Sequence, residues 1–360
     1  MEVFFTKEPK WHEKWDDFLI SNDIGNHFSL SDWLNSYSSY GFDYEVCICL
    51  KEGKIVGGYG SVIAKVAFFK FYCIPSGPIF SSGLEAHLPL VSKELVGRAS
   101  KLGCCYVQFS IPTADNIIIS TKTFSKEAIT PFFKNYKKGN KFKHIYSAYG
   151  INWVDFNKTQ SPEVLLKQFS IQVSRNIKLS YASNPKISYA TTIEECKLAY
   201  ELVTENAKNG NYTVRSFEDF GDTILKLITA NKAYFIIAKI NNDIKGVAFC
   251  VKGGNALTYI TGGTKKEKPD LKIGYLLHWE IIKKSYELCY RGYNISMGGS
   301  KGVIEFKSKF NTNTILFDEP FYYFILNPFL FNLYLCFKTI LSKHKKSISV
   351  LLRQFKKTNK

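Results

Sequence analysis

Alternating apolar positions mark the first legible element. "YEVCICL-KEGK-IVGGYGSVI" (residues 44–63) reads as two strands around a glycine-containing turn, a β-hairpin. An apolar stretch "FFKFYCIPSGPIF" follows, then a helix through "LPLVSKELVGRASKLG" and a strand "CCYVQFSIP". The same order returns in the second half. "AYFIIAKI-NNDI-KGVAFCVKGG" (233–254) is again a hairpin, followed by "NALTYITGG", a helix through "GYLLHWEIIKKSYELCYRG" and the strand "YNISMGG". The apolar faces of the two helices match in spacing: Val91, Leu95, Ala99 and Leu102 correspond to Leu277, Ile281, Ser285 and Leu288, each set at i, i+4, i+8, i+11.

This repetition predicts two α/β domains of related topology, with mixed sheets flanked by helices. Between them, residues 148–180 predict a strand and then a helix capped near Ser161-Pro162-Glu163. The expected boundaries are 1–145, 146–326 and a C-terminal tail, 327–360.

A chain of 360 residues with 45% hydrophobic and 16% aromatic content can fill two cores, which excludes global disorder. Its net charge of +17 favours polyanionic partners: nucleic acid, phosphorylated precursors or an anionic membrane face. The nine cysteines include no CxxC pair and the six histidines have no metal-type spacing, so no metal site is expected. No Ser-His-Asp or Cys-His pattern points to a covalent enzyme intermediate. The N-terminus lacks the charged-then-apolar layout of a signal peptide, so a cytoplasmic protein is expected.

In the tail, the uncharged run 321–337 is short for a bilayer span and is interrupted by Asn327, Pro328 and Asn332. From Lys338 onward there are many lysines and no acid. An amphipathic helix at 328–360, contacting the inner face of the membrane, is one reading. The other docks Phe329, Leu333 and Phe337 on the second domain.

The segment "GGSKGVIEFKSKF" (298–310) is chemically the most suggestive. Read alone, Phe306-Lys307-Ser308-Lys309-Phe310 is an alternating edge strand protected by lysines. A lysine held at a strand end beside Gly298 and Gly299 would equally suit stabilisation of a developing oxyanion. "TYITGG" ends a predicted strand, and amides at Gly262 and Gly263 suit a carbonyl or phosphate. Arg175 and Arg215 are candidates for bidentate phosphate or carboxylate contacts. Asp318 and Glu319 in "FDEPF" are candidate bases, Glu319 the preferred one.

Taken in order, "HFSLSDWLNSYS", "IPSGPIF", Ser174-Arg175-Asn176-Ile177, "YITGG", "LLHWEII" and "GGSKGVIEFKSKF" resemble the FemAB family. These are aminoacyltransferases built from two GNAT-like domains, which extend the peptide branches of peptidoglycan precursors. The resemblance covers most of residues 25–325, without the charged helical hairpin some members carry. It departs at Asn311, where glycine is common, and at Ser76, where arginine is common.

The resemblance implies a donor-site role for Lys307, flanked by Phe306, with Lys309 a solvated bystander. It also implies acceptor binding by Arg215 and substrate contacts at Arg175, Tyr259 and the two Gly-Gly pairs. Aminoacyl-tRNA is the implied donor and a nucleotide- or lipid-linked muropeptide the implied acceptor, with no separate cofactor. "KPDLKIGYLLHW" does not fit the glycine-rich turn with which CoA-binding GNAT enzymes cradle pyrophosphate. An N-acyltransferase acting on an amino sugar of a surface polysaccharide, with acyl-CoA as donor, stays open. So does a catalytically degenerate membrane-associated binding protein.

Overall fold

The computed structural model describes residues 1–84, 87–114, 136–156, 159, 161–318 and 320–343. Both expected hairpins form on two-residue turns whose residues have positive φ. Strands β2 (Asp43–Lys51) and β3 (Lys54–Val66) meet at Glu52-Gly53, with φ of 53° and 75°. Their counterparts β10 (Ala233–Ile240) and β11 (Asp243–Lys252) meet at Asn241-Asn242, with φ of 52° and 63°. Asparagine and glycine tolerate this left-handed backbone best, which is why these turns were legible.

The repeat extends beyond the hairpins. In the first half, β4 (Phe69–Ile74) leads through α3 (Leu88–Lys101) to β6 (Tyr106–Ser110), parallel to β4. In the second, β12 (Ala256–Thr264) leads through α8 (Ile273–Glu287) to β13 (Gly292–Asn294), parallel to β12.

Each unit completes a mixed sheet. The first runs β1 (Glu2–Thr6), β2, β3, β4, β6, β15 (Phe321–Ile325), β7 (Lys137–Lys138), with β5 (Ile79–Phe80) paired on β3. The second runs β14 (Asn313–Leu316), β8 (Gly150–Asp155), β13, β12, β11, β10, β9 (Lys186–Tyr189). Strand β15, expected in the second domain, thus crosses back to the first sheet and pairs with β6.

The two sheets share one core cluster. From the first half come α1 (Pro9–Ser21) and α2 (Ser31–Asn35). Past the joining helices α4 (Pro162–Gln168) and α5 (Ile171–Ala182), the second half supplies α6 (Ile193–Asn209) and α7 (Phe217–Thr229). Trp33 meets Phe220 edge-on at 5.4 Å across this seam. A buried ion pair reinforces it: Lys232 Nζ donates to Asp16 Oδ2 at 2.6 Å, while Ser31 donates its N–H and hydroxyl to the same carboxylate at 2.8 and 2.7 Å. Asp16→Asn keeps the shape but leaves the Lys232 charge without its counterion. We expect about 3–5 kcal/mol of lost stability, read from the shift of the urea midpoint.

Two further elements differ from expectation. Residues Lys301–Ser308 form helix α9, not a strand. Phe306 and Phe310 are four apart, a spacing that satisfies both a two-residue strand period and one helical turn. Lys307 on α9 and Phe310 just past its end are both buried, whereas a strand would put Lys307 opposite the two phenylalanines.

The tail helix α10 (Pro328–Lys343) docks on the first sheet, not on the second domain. Phe331 stacks on Tyr106 at 4.8 Å, and Tyr334 packs against Phe71 at 4.6 Å. Phe329 and Leu333, expected as docking residues, remain 75% and 41% exposed.

Candidate active site

The two halves repeat each other in topology but not in closure. In the first sheet the parallel strands stay zipped over Phe71–Ile74 and Tyr106–Phe109. In the second, β12 pairs with β13 only over Ala256–Thr258. Beyond it, a bulge leaves Ile260 unmatched between Tyr259 and Thr261, and β12 runs on to Thr264 beside β11 alone. The chain leaving β13 turns away through Ser296, Gly298 and Gly299, with φ of 66°, 82° and 123°. A wedge therefore opens in the second sheet.

A cavity of about 570 Å³ extends from this wedge to the first half. Thr258, Tyr259, Ile260, Ser296 and Met297 line it from the second sheet. The loop Asp23–Phe28, Trp33, Tyr37 and Ser76 line it from the first half. Much of this wall is aromatic, and it comes from the segment "HFSLSDWLNSYS".

Lys307 sits at the second-sheet end, 4% exposed. Its ammonium donates to Ser296 O at 3.2 Å, Ser296 Oγ at 3.0 Å and Gly298 O at 3.1 Å, and lies 5.5 Å from the Tyr259 ring centre. Burial pushes its pKa down to about 8, since no carboxylate offsets the lost hydration. Lys307 is not itself in the cavity wall; Ser296 and Tyr259 separate the two. A reacting carbonyl at that wall would meet a cation one residue behind it.

From α8, His278 and Tyr275 pack on the aromatic neighbours of this lysine. His278 lies 4.9 Å from Tyr259 and 5.5 Å from Phe306, and its Nδ1 hydrogen-bonds the Tyr293 hydroxyl at 2.7 Å. Burial, and secondarily the Lys307 charge, push the His278 pKa down to about 3, so it stays neutral. Phe306 packs edge-on against Tyr275 at 4.8 Å, close beside Gly274. Lys309, expected to be solvated, is half-buried at the end of α9.

Arg215 marks the opposite end of the cavity. Its guanidinium donates to Ser36 Oγ at 2.8 Å, Ser36 O at 2.6 Å and Ser39 Oγ at 3.2 Å, and stacks 4.6 Å from the Phe220 ring centre. Its buried Nε has no partner, and among the described residues no carboxylate pairs with it. Asp23 is the one acid among the lining residues described, and Arg291 takes it at 3.1 Å. The cavity thus offers one uncompensated cation to an anionic ligand.

Other expected site residues lie elsewhere. Gly262 and Gly263 are inside β12, paired with Ala248 and Val247, rather than at a strand end. A Cβ on Gly263 would stand 2.8 Å from Leu202 O, so this glycine lets α6 approach the sheet. Arg175 is exposed on α5, in a shallow groove with Lys167 and Lys178 that is separate from the cavity. Glu319 falls outside the described residues; Asp318 is exposed, its N–H donating to Thr113 O at 2.6 Å.

A family model described as "FemAB family" matches residues 11–245. The chain belongs to the FemAB family. It is accordingly an acyltransferase with the tandem GNAT-like architecture. A search of curated protein sequences returned no match. Among solved structures, this FemAB chain superposes on the crystal structure of FemX with a TM-score of 0.74 at 13% identity, covering 92% of this chain and 99% of that one. A conserved protein of unknown function from Bacteroides thetaiotaomicron gives 0.59 at 12% identity, over 89% and 99% of the two chains. The C-terminal domain of a putative lysylphosphatidylglycerol synthetase from Agrobacterium fabrum gives 0.51 at 13% identity, over 92% and 96%. These likenesses concern the fold.

Sequence reasoning missed Ser296, which supplies two of the three acceptors for Lys307. Nothing in "NISMGG" signals a left-handed serine. It also missed Ser36, whose position on the far half makes it Arg215's partner only after folding.

Proposed function

We propose that this FemAB chain transfers an aminoacyl group from tRNA to an amine of a peptidoglycan precursor. One observation carries the reading: a single aromatic-walled cavity has the unpaired cation of Arg215 at one end and backs onto the buried cation of Lys307 at the other. Arg215 would hold a phosphate or carboxylate of the acceptor, and the aromatic wall would pack on its sugar or peptide. The amine would then point to the wedge between β12 and β13.

There the amine nitrogen attacks the ester carbonyl of the donor. A C–N bond forms and the carbonyl π electrons move onto oxygen. The tetrahedral intermediate collapses, the ester C–O bond breaks, and the tRNA hydroxyl leaves with the proton that the amine gives up. The Lys307 charge opposes the oxyanion in a buried setting, where a fixed cation is worth far more than in water. With its pKa near 8, most of it is protonated at neutral pH. Glu319 is kept as the proposed base for the amine proton. The basic net charge of +17 supports a tRNA donor through phosphate contacts, and the reaction calls for no further cofactor.

The test is donor dependence with the full-length protein. Charged tRNA should lose its amino acid only when a muropeptide precursor is present, and ribonuclease should abolish product. Ribonuclease-insensitive transfer from acyl-CoA would overturn the reading in favour of an amino-sugar N-acyltransferase.

A further inference from the structure

The outward face of α10 carries Phe329, Leu333 and Cys336, exposed at i, i+4 and i+7. Phe329 is 75% exposed, an unusual state for a phenylalanine on a helix already docked by its other side. On the nearby β3–β4 turn Phe68 is 61% exposed and lies against Phe69, which packs on Tyr334 and Phe337 of α10.

Basic residues surround the stripe. Three segments build this side of the molecule: residues 64–72, 139–149 and 328–343. Together they contain Lys65, Lys70, Lys141, Lys143, Lys338 and Lys343, and no Asp or Glu. Lys65, Lys141, Lys143 and Lys338 are exposed. The sequence beyond adds Lys345, Lys346, Arg353, Lys356, Lys357 and Lys360, again with no acid.

Exposed apolar side chains on lysine-rich, acid-free segments match a surface that is negative at the headgroups and apolar beneath. An anionic bilayer has that layering. Among the described residues no helix is long and apolar enough to cross a membrane, so the contact would be interfacial.

The patch also adjoins the cavity. Phe142 packs against Tyr334 at 6.2 Å, and two and four residues later His144 and Tyr146 line the cavity. Burial, and secondarily the Lys338 charge, lower the His144 pKa.

We infer that the α10 face, with Phe68 and the flanking lysines, is a docking surface for an anionic lipid bilayer, seated so that the cavity opens beside the headgroups. An acceptor anchored in the bilayer then reaches the cavity without leaving the membrane.

The experiment is vesicle sedimentation with the full-length protein. Wild type should pellet with phosphatidylcholine vesicles containing phosphatidylglycerol, and at least about tenfold more weakly with phosphatidylcholine alone. The triple variant Phe68→Ser, Phe329→Ser, Leu333→Ser should bind the anionic vesicles about tenfold or more weakly, with an unchanged thermal midpoint. Lys141→Glu, Lys143→Glu, Lys338→Glu should do the same. Failure of wild type to pellet overturns the inference. So does wild-type binding by the apolar variant, which would assign attraction to tail charge alone. A dimer lost in that variant, or RNA binding lost in it while vesicles are ignored, assigns the face to another partner. Since no transfer is measured, the result is independent of the proposed reaction.

Discussion

Replacing Lys307 with methionine is expected to lower kcat by about 10²–10³-fold, the usual effect of deleting one oxyanion-stabilising group, while the acceptor KM stays within about twofold. The effect follows from where the charge sits. Lys307 is buried, and Ser296 and Gly298 hold its three N–H groups in place. A cation so fixed needs little reorganisation when the oxyanion forms.

The pH profile gives a second signature. Burial pushes the pKa down to about 8, so the charged form is lost as pH rises through 8. Wild-type kcat should fall through that range by a single proton, and the methionine variant should lack this limb. The stability linkage has the opposite sense. The folded state binds this proton more weakly than the unfolded chain, so burying the charge costs stability below pH 8. The cost fades as pH rises toward the unfolded lysine value, near 10.4. Methionine removes that cost but leaves three acceptors on Ser296 and Gly298 without their donor, so the thermal midpoint must be followed alongside kcat.

Arg215→Ala carries the second large effect, on the other parameter. A charge-assisted hydrogen bond to an anion contributes about 1.5–3 kcal/mol, so the acceptor KM should rise roughly 10–100-fold with kcat at saturation nearly unchanged. Arg215→Lys should recover little, because the guanidinium fork spans Ser36 and Ser39 while stacking on Phe220. Arg215 also joins the two halves through Ser36, so the thermal midpoint must be followed alongside.

Much of the fold was legible because it is written in local chemistry. The hairpins announce themselves through alternation and Asn or Gly turns, and the two crossover helices through matched apolar faces. What stayed hidden depends on partners far away in sequence. Strand β15 looks like any aromatic strand, and only the docking of the two sheets decides that Phe321–Ile325 pairs with β6 rather than with β14. Helix α9 was misread because a four-residue spacing of phenylalanines fits both periods.

The site was legible in part. Tyr259 and Arg215 line the cavity, Gly298 accepts from Lys307 behind it, and Phe306 packs on His278. Arg175 does not, since one exposed arginine on a helix looks the same in sequence wherever its face turns. Gly263 does admit a close approach, but by helix α6, and Gly262 lies against the neighbouring strand β11.

In the proposed reaction one cavity binds the acceptor at Arg215 and forms the bond at the wall backed by Lys307. Single-turnover transfer at saturating acceptor, measured for wild type, Lys307→Met and Arg215→Ala, tests it most directly. The transfer step should be slowed about 10²–10³-fold in the lysine variant and stay close to wild type in the arginine variant. A wild-type step in Lys307→Met, or an equally slow step in Arg215→Ala at saturation, would contradict it.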